Sequence, residues 1–184
     1  DFNGESLACS EVFQSNGISQ NSLVEIKELF EDSSTFGALI RIPNSLAAEL
    51  PALKKMCLSI DKDLFITEDL ERLSPLVKQA EILASQFDLV VANPPYMGSK
   101  VFNKSLKSWA KNNYKGFERD LFSMFIVRIL EFTKPGGFSG VMTSFVWMFI
   151  SSFKNLRAEM LNEHTFISLV QLHYDAFAEA KAHV

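Results

Sequence analysis

The sequence predicts an α/β domain built on a parallel sheet with flanking helices, preceded by a mainly helical segment. Two observations carry that expectation. Apolar residues recur at helical spacing up to about Ser85, and from Phe87 onward short β-rich runs alternate with helical ones. The order strand, helix, strand, helix, strand implies parallel pairing, because parallel neighbours need a crossover long enough to hold a helix. The expected organisation is a helical part over residues 1–85 and an α/β part over 86–184, together one globular unit.

In the first part, Leu23, Ile26, Leu29 and Phe30 fall on one helical face, and Leu70, Leu73, Leu76, Val77, Ala80 and Leu83 on another. Pro43, Pro51 and Pro75 are expected to start or break these helices, and Asn16-Gly17 and Asp32-Ser33-Ser34 supply turn and cap chemistry between them. Phe87-Asp88-Leu89-Val90-Val91-Ala92 reads as a buried strand, with a loop at Asn93–Ser99. A polar helix from about Val101 to Asn112 and an apolar helix from about Asp120 to Phe132 follow, Asp120 serving as the acid at the second helix's start. Lys134-Pro135-Gly136-Gly137 is expected to stop that helix. Gly140–Ser144 reads as a second buried strand, Ser151 or Ser152 as the cap of a helix to about Glu163, and Phe166–His173 as a third strand.

Composition narrows the function classes. With 184 residues, 47% of them hydrophobic, the chain has apolar surface enough for a substantial core. A formal net charge of −4 excludes a uniformly basic nucleic-acid binder, so any DNA contact needs a local patch. The 17 Phe residues mostly fill the core, with rings left over to grip a flat ligand. Cys9 and Cys57 are far apart and lack partners at metal-ligand spacing, which fits idle thiols in a reducing cytoplasm and no metal site. His164, His173 and His183 show no partner spacing either. The apolar runs Leu121–Leu130 and Val141–Ile150 are too short to span a bilayer, so no membrane partner is expected. The chain opens at Asp1 without Met and reads as a piece of a longer protein.

The chemistry concentrates in Asn93-Pro94-Pro95-Tyr96. In a parallel sheet, ligands sit beyond the carboxyl ends of strands, and this loop follows the first strand. An amine conjugated to a ring is a poor nucleophile because its lone pair is delocalised. The Asn93 side-chain carbonyl and the Pro94 backbone carbonyl offer two acceptors for the two amine hydrogens, which pushes nitrogen toward a tetrahedral state with its lone pair directed outward. Pro94 and Pro95 restrict the backbone, so the acceptors are pre-organised, and Tyr96 supplies a face for stacking. No Cys stands beside the prolines, which argues against carbon methylation of cytosine.

Asp88–Tyr96, DLVVANPPY, resembles motif IV of the adenine-amino DNA methyltransferases. Asp120–Phe125, Lys134–Gly137, Trp147 and Ser151–Leu161 are similar to the downstream part of large adenine-specific methylases of restriction and phage-defence systems, and Glu28–Ile40 (ELFEDSSTFGALI) extends the similarity to the PglX methyltransferases of BREX systems. The resemblance spans about Leu23–Ala180. It implies a partial Rossmann-like methyltransferase fold, S-adenosylmethionine as methyl donor, and double-stranded DNA with a flipped adenine as partner, alongside other defence-system proteins. It also implies that Asn93, Pro94, Pro95 and Tyr96 bind and stack the amine-bearing base, that Asn93 touches the donor's methionine end, and that Phe177 closes on the base as a second aromatic. One departure stands out: the family's Gly-rich donor turn has no counterpart here, since Gly136, Gly137 and Gly140 follow a helix. Most of the donor pocket is thus expected upstream of Asp1, and this segment alone is expected to be inactive.

Lys100, Lys104, Lys107, Lys111 and Lys115 recur every three or four residues, which is expected to line them along one helical face beside the catalytic loop. With Arg119 they carry six positive charges against the two negative ones of Glu118 and Asp120, a net basic patch of the kind the composition requires, either for DNA phosphates or as a solvated face. Trp109 and Tyr114 have rings that either stack on bases or pack under the helix, and the core is the expected place. Two other readings stay open: a protein-glutamine methyltransferase, because a side-chain amide presents a similar planar amine, and a non-catalytic recognition or scaffold fragment.

Overall fold

The structure, a computed structural model, describes residues 13, 17–58 and 64–172. The chain divides into two compact units, Asp1–Ser85 and Gln86–Val184. Among the described residues of the first unit, the α-helices are α1 (Gln20–Glu31), the one-turn α2 (Ser33–Phe36), α3 (Asn44–Leu58) and α4 (Leu64–Ala84). Ser19 caps α1 by accepting from the Ser22 N–H at 3.1 Å, and its own N–H donates to Glu49 of α3 at 2.9 Å. Asp32 separates α1 from α2, its carbonyl accepting from Thr35 and Phe36. Gly17 takes φ 75°, which a turn there requires and which glycine adopts without strain. Asn16 lies outside the described residues.

The apolar spacing becomes a shared core of Ile26, Phe30, Leu46, Leu50, Leu53, Leu70, Leu73, Val77 and Ala80. Pro43 precedes α3 as expected. Pro51 and Pro75, however, lie inside α3 and α4 and break neither. An internal proline costs roughly 3 kcal/mol. Burying one Leu stabilises by about 1.5–3 kcal/mol, and α3 alone buries Leu46, Leu50 and Leu53 across its proline. Packing therefore outweighs the local break.

In the second unit, β1 (Phe87–Ala92) runs into a loop, then α5 (Lys104–Asn113), α6 (Leu121–Phe132) and β2 (Thr133–Val141), which pairs parallel with β1. Short 3-10 turns at Phe145–Met148 and Ser151–Phe153 lead into α7 (Lys154–Glu163). Among the described residues the sheet has these two strands. The mixed α/β architecture with flanking helices agrees with the expected fold class, and β1 has the expected bounds.

Three expectations about the strands are corrected. The second strand begins at Thr133, not Gly140, because Lys134–Gly137 enters β2 as a bulge. Phe87 pairs with Thr133 and Leu89 with Phe138, so Asp88 faces all of the intervening residues. Gly136 there has φ 78°, and a Cβ on Gly137 would stand 2.9 Å from the Asp88 carbonyl oxygen. Lys134 Nζ meets both Asp88 carboxylate oxygens at 3.1 Å across the bulge. Second, residues 166–172 form no strand; Phe166 instead stacks on Trp147 at 6.2 Å, and no described strand offers the segment a ladder. His173 lies outside the described residues. Third, β1 and β2 are not fully buried: Leu89 is 63% and Val91 73% exposed, since they share the face opposite Val90 and Ala92. The capping expectation at Ser151 and Ser152 also shifts, because α7 starts at Lys154 after a 3-10 turn. No helix of the described residues is long and apolar enough to cross a membrane.

Candidate functional site

Asn93–Ser99 leaves the carboxyl end of β1, next to the carboxyl end of β2, where the Met142 N–H donates to the Ala92 carbonyl at 3.0 Å. The peptide bonds at Pro94 and Pro95 are trans. Asn93 is exposed and Pro94 buried, so the segment turns its amide outward over an anchored proline. Among the described residues no backbone hydrogen bond ends on the Pro94 carbonyl. Tyr96 is 36% exposed, and its hydroxyl donates to Asn93 Oδ1 over a long 3.5 Å. Burial pushes the Tyr96 phenol above its ordinary value of 10.0.

The Tyr96 ring stands edge-on to Phe122 at 6.3 Å and 89°, and Phe122 packs on Phe153 at 5.2 Å. One ring edge of Tyr96 is thereby braced by a buried aromatic pair. Phe122 belongs to the first turn of α6, whose N-cap is Asp120. One Asp120 oxygen, Oδ1, accepts from the Phe122 N–H at 3.2 Å and also from the Met97 N–H at 3.0 Å. Two backbone bonds flank this point, Leu121 N–H to the Met97 carbonyl at 3.0 Å and Ser99 N–H to the Arg119 carbonyl at 2.9 Å. Burial raises the Asp120 carboxyl above its ordinary value, and bonds from the N–H groups of Phe122, Met97 and Leu121 offset part of that rise.

Sequence reasoning gave Asp120 only a cap. Its tie to Met97 was missed because the two lie 23 positions apart, and no periodicity encodes that pairing. Thr143 was also missed: it lies just past β2, and its hydroxyl is buried with no hydrogen-bond partner among the described residues. No local signal marks it.

The lysines divide. Lys104, Lys107 and Lys111 share the exposed face of α5, while Lys100 precedes the helix and Lys115 follows it, so the expected single helical face holds three of the five. Asn103 caps α5 through the Leu106 N–H at 2.8 Å, and Phe102, Leu106, Ala110 and Tyr114 bury its underside. Tyr114 is thus a core residue; Trp109, half-buried, leans against it at 5.7 Å. Phe177 lies outside the described residues, as do Cys9 and His183.

The donor's residues are tested by the glycines. Gly136 and Gly137 sit in the bulge of β2 that faces Asp88, near the amino end of β1 and away from the strand end that carries Asn93. The described residues therefore place neither Gly136 nor Gly137 where the cradle of a nucleoside donor beside that loop would lie. Among them, no group of three or more His, Cys, Asp or Glu residues could hold a metal ion.

Comparison with known proteins gives the same direction. Over 164 residues, 88% of this chain, the sequence is 37% identical to an adenine-specific methyltransferase BrxX of Escherichia coli O9:H4 (strain HS). Over 104 residues, 56% of the chain, it is 38% identical to an adenine-specific methyltransferase PglX of Lacticaseibacillus casei (strain Zhang). These stretches make up 14% and 9% of the two relatives' lengths. The model of the Eco57I restriction-modification methylases matches residues 13–177, and the chain belongs to that family.

Proposed function

We propose that the full-length protein is a DNA methyltransferase that transfers a methyl group from S-adenosylmethionine to the 6-amino group of adenine, within a restriction-modification or phage-defence system in the cytoplasm. The observation that carries this reading is the outward Asn93 amide at the end of β1, with Tyr96 braced behind it by Phe122. Membership of the methylase family supports it independently.

In this reading a flipped adenine lays its ring on Tyr96 and gives its two amine hydrogens to Asn93 Oδ1 and the Pro94 carbonyl oxygen. The long contact from the Tyr96 hydroxyl is weak enough for an incoming amine to displace. Both acceptors localise the lone pair and stabilise the positive charge that develops on nitrogen, so no ionised base is needed before transfer. The proline pair makes this geometry available before binding, and Pro95 holds the turn between acceptor and ring. When bound, S-adenosylmethionine supplies an electrophilic methyl group; Asn93 is the residue assigned toward its methionine end. Phe177 is the proposed second aromatic over the base. Lys100, Lys104, Lys107 and Lys111 are the proposed phosphate contacts on double-stranded DNA. Other defence-system proteins are its proposed partners.

The test is long-read sequencing of DNA from cells that express the full-length protein. Adenine methylation at a defined sequence is expected with the unmodified protein and not with Asn93→Ala; unchanged methylation in that variant refutes the mechanism. Methylated glutamine in protein without methylated adenine supports the protein-glutamine alternative instead.

A further inference from the structure

We infer that Asp120 is a positioning residue for this site: its carboxylate ties the start of α6 to the chain leaving Tyr96, so that Asn93 and Tyr96 hold their geometry before an amine arrives. The inference rests on the methyl-transfer reading above. Its physical basis is the placement of Met97, the residue directly after Tyr96. On one side of Tyr96, Pro94 and Pro95 restrict the backbone. On the other, the Met97 N–H is held by Asp120 Oδ1 at 3.0 Å and the Met97 carbonyl by the Leu121 N–H at 3.0 Å. Gly98 and Asp120 form an antiparallel bridge, and a Cβ on Gly98 would meet Asp120 Oδ2 at 3.6 Å, so the two segments lie close. Two residues on, Phe122 braces the Tyr96 ring at 6.3 Å. One short segment, Asp120–Phe122, thus supplies both the polar tie and the aromatic wall.

A helix cap alone does not require this arrangement. Ser, Thr and Asn cap as well as Asp does, through one bond into the first turn. The bond to Met97 is additional, and it points at the loop.

Two substitutions separate the roles in the full-length protein. Asp120→Asn keeps an oxygen at the same reach and preserves both bonds. Asp120→Ser keeps the cap, but its shorter side chain gives up Met97. Three quantities are read: the single-turnover methylation rate with saturating DNA and S-adenosylmethionine, the dissociation constant for DNA, and amide hydrogen exchange of residues 93–97. Asp120→Asn is expected to stay near the unmodified rate. Asp120→Ser is expected to lose about 10- to 100-fold in rate, the scale of a small misplacement of reacting groups, with DNA affinity unchanged and Met97 exchange accelerated. Equal rates and equal Met97 exchange in the two variants overturn the proposal and leave Asp120 a cap. Should Asp120→Ser not fold, Asp120→Asn decides: Met97 protection with the unmodified rate supports the tie, and lost protection at an unmodified rate overturns it. If the unmodified protein methylates no adenine, the function reading falls, while Met97 exchange still decides whether the tie exists.

Discussion

The loop of Asn93–Met97 and helix α5 are near neighbours in sequence, yet different physics defines them. The loop is fixed by short-range, directional interactions: two prolines, the Asp120 bond to Met97 and the edge-on ring of Phe122. Helix α5 is fixed underneath, by its Asn103 cap and buried apolar side, while Lys104, Lys107 and Lys111 project on long flexible stems. A rigid loop can select one amine by geometry; a lysine face supplies a field that attracts any phosphate chain. Changes in the loop should therefore alter rate, and changes on α5 should alter affinity.

The strongest way to break that division is Phe122→Ala. Phe122 is 2% exposed, and removing such a side chain costs about 3–5 kcal/mol of stability. Denaturant unfolding should show that loss, and methylation should fall in whatever folded fraction remains. Full activity in the folded fraction would detach the ring from the loop's geometry. Next in size is Tyr96→Ala, which removes a stacking face worth about 1–3 kcal/mol per base. Its methylation rate should fall accordingly, while Tyr96→Phe should stay close to the unmodified rate; a large loss in Tyr96→Phe would move the role from the ring to the hydroxyl.

Charge reversal of Lys104, Lys107 and Lys111 to Glu should weaken DNA binding and flatten its salt dependence by roughly 0.9 per lost phosphate contact in the log–log slope, with the rate at saturating DNA preserved. Equal affinity of the unmodified protein at low and high salt would remove the phosphate role. The smallest effect concerns pH. Asp120 titrates above its ordinary value because of burial, so its ionisation costs more in the folded state than in the unfolded one. Its contribution to stability is complete below the ordinary carboxylate range and is lost as pH rises through the raised value. The melting temperature of Asp120→Asn relative to the unmodified protein should rise with pH across that range; a constant difference would contradict the shift.

Much of this was legible from residues alone, wherever the signal is local. The run Phe87–Ala92 announced β1, Asp120 and the apolar run after it announced α6, and Asn93–Tyr96 stood out by its side-chain chemistry. What failed depends on partners distant in sequence. The Lys134–Gly137 segment reads as punctuation, yet its backbone course is set by Asp88 on the neighbouring strand. Residues 166–172 carry strand composition but find no ladder among the described residues. Pro51 and Pro75 read as breaks until the core on either side of them is known. The Asp120 tie belongs to the same class, since its capping chemistry is local and its second bond is not.

The most direct measurement is mass spectrometry of DNA incubated with the purified full-length protein and S-adenosylmethionine, the unmodified protein beside Asn93→Ala. The account predicts N6-methyladenine from the first, and a rate lower by about 10²–10³-fold from the second, the usual effect of removing one pre-organised hydrogen-bonding group. Equal N6-methyladenine from both would contradict it.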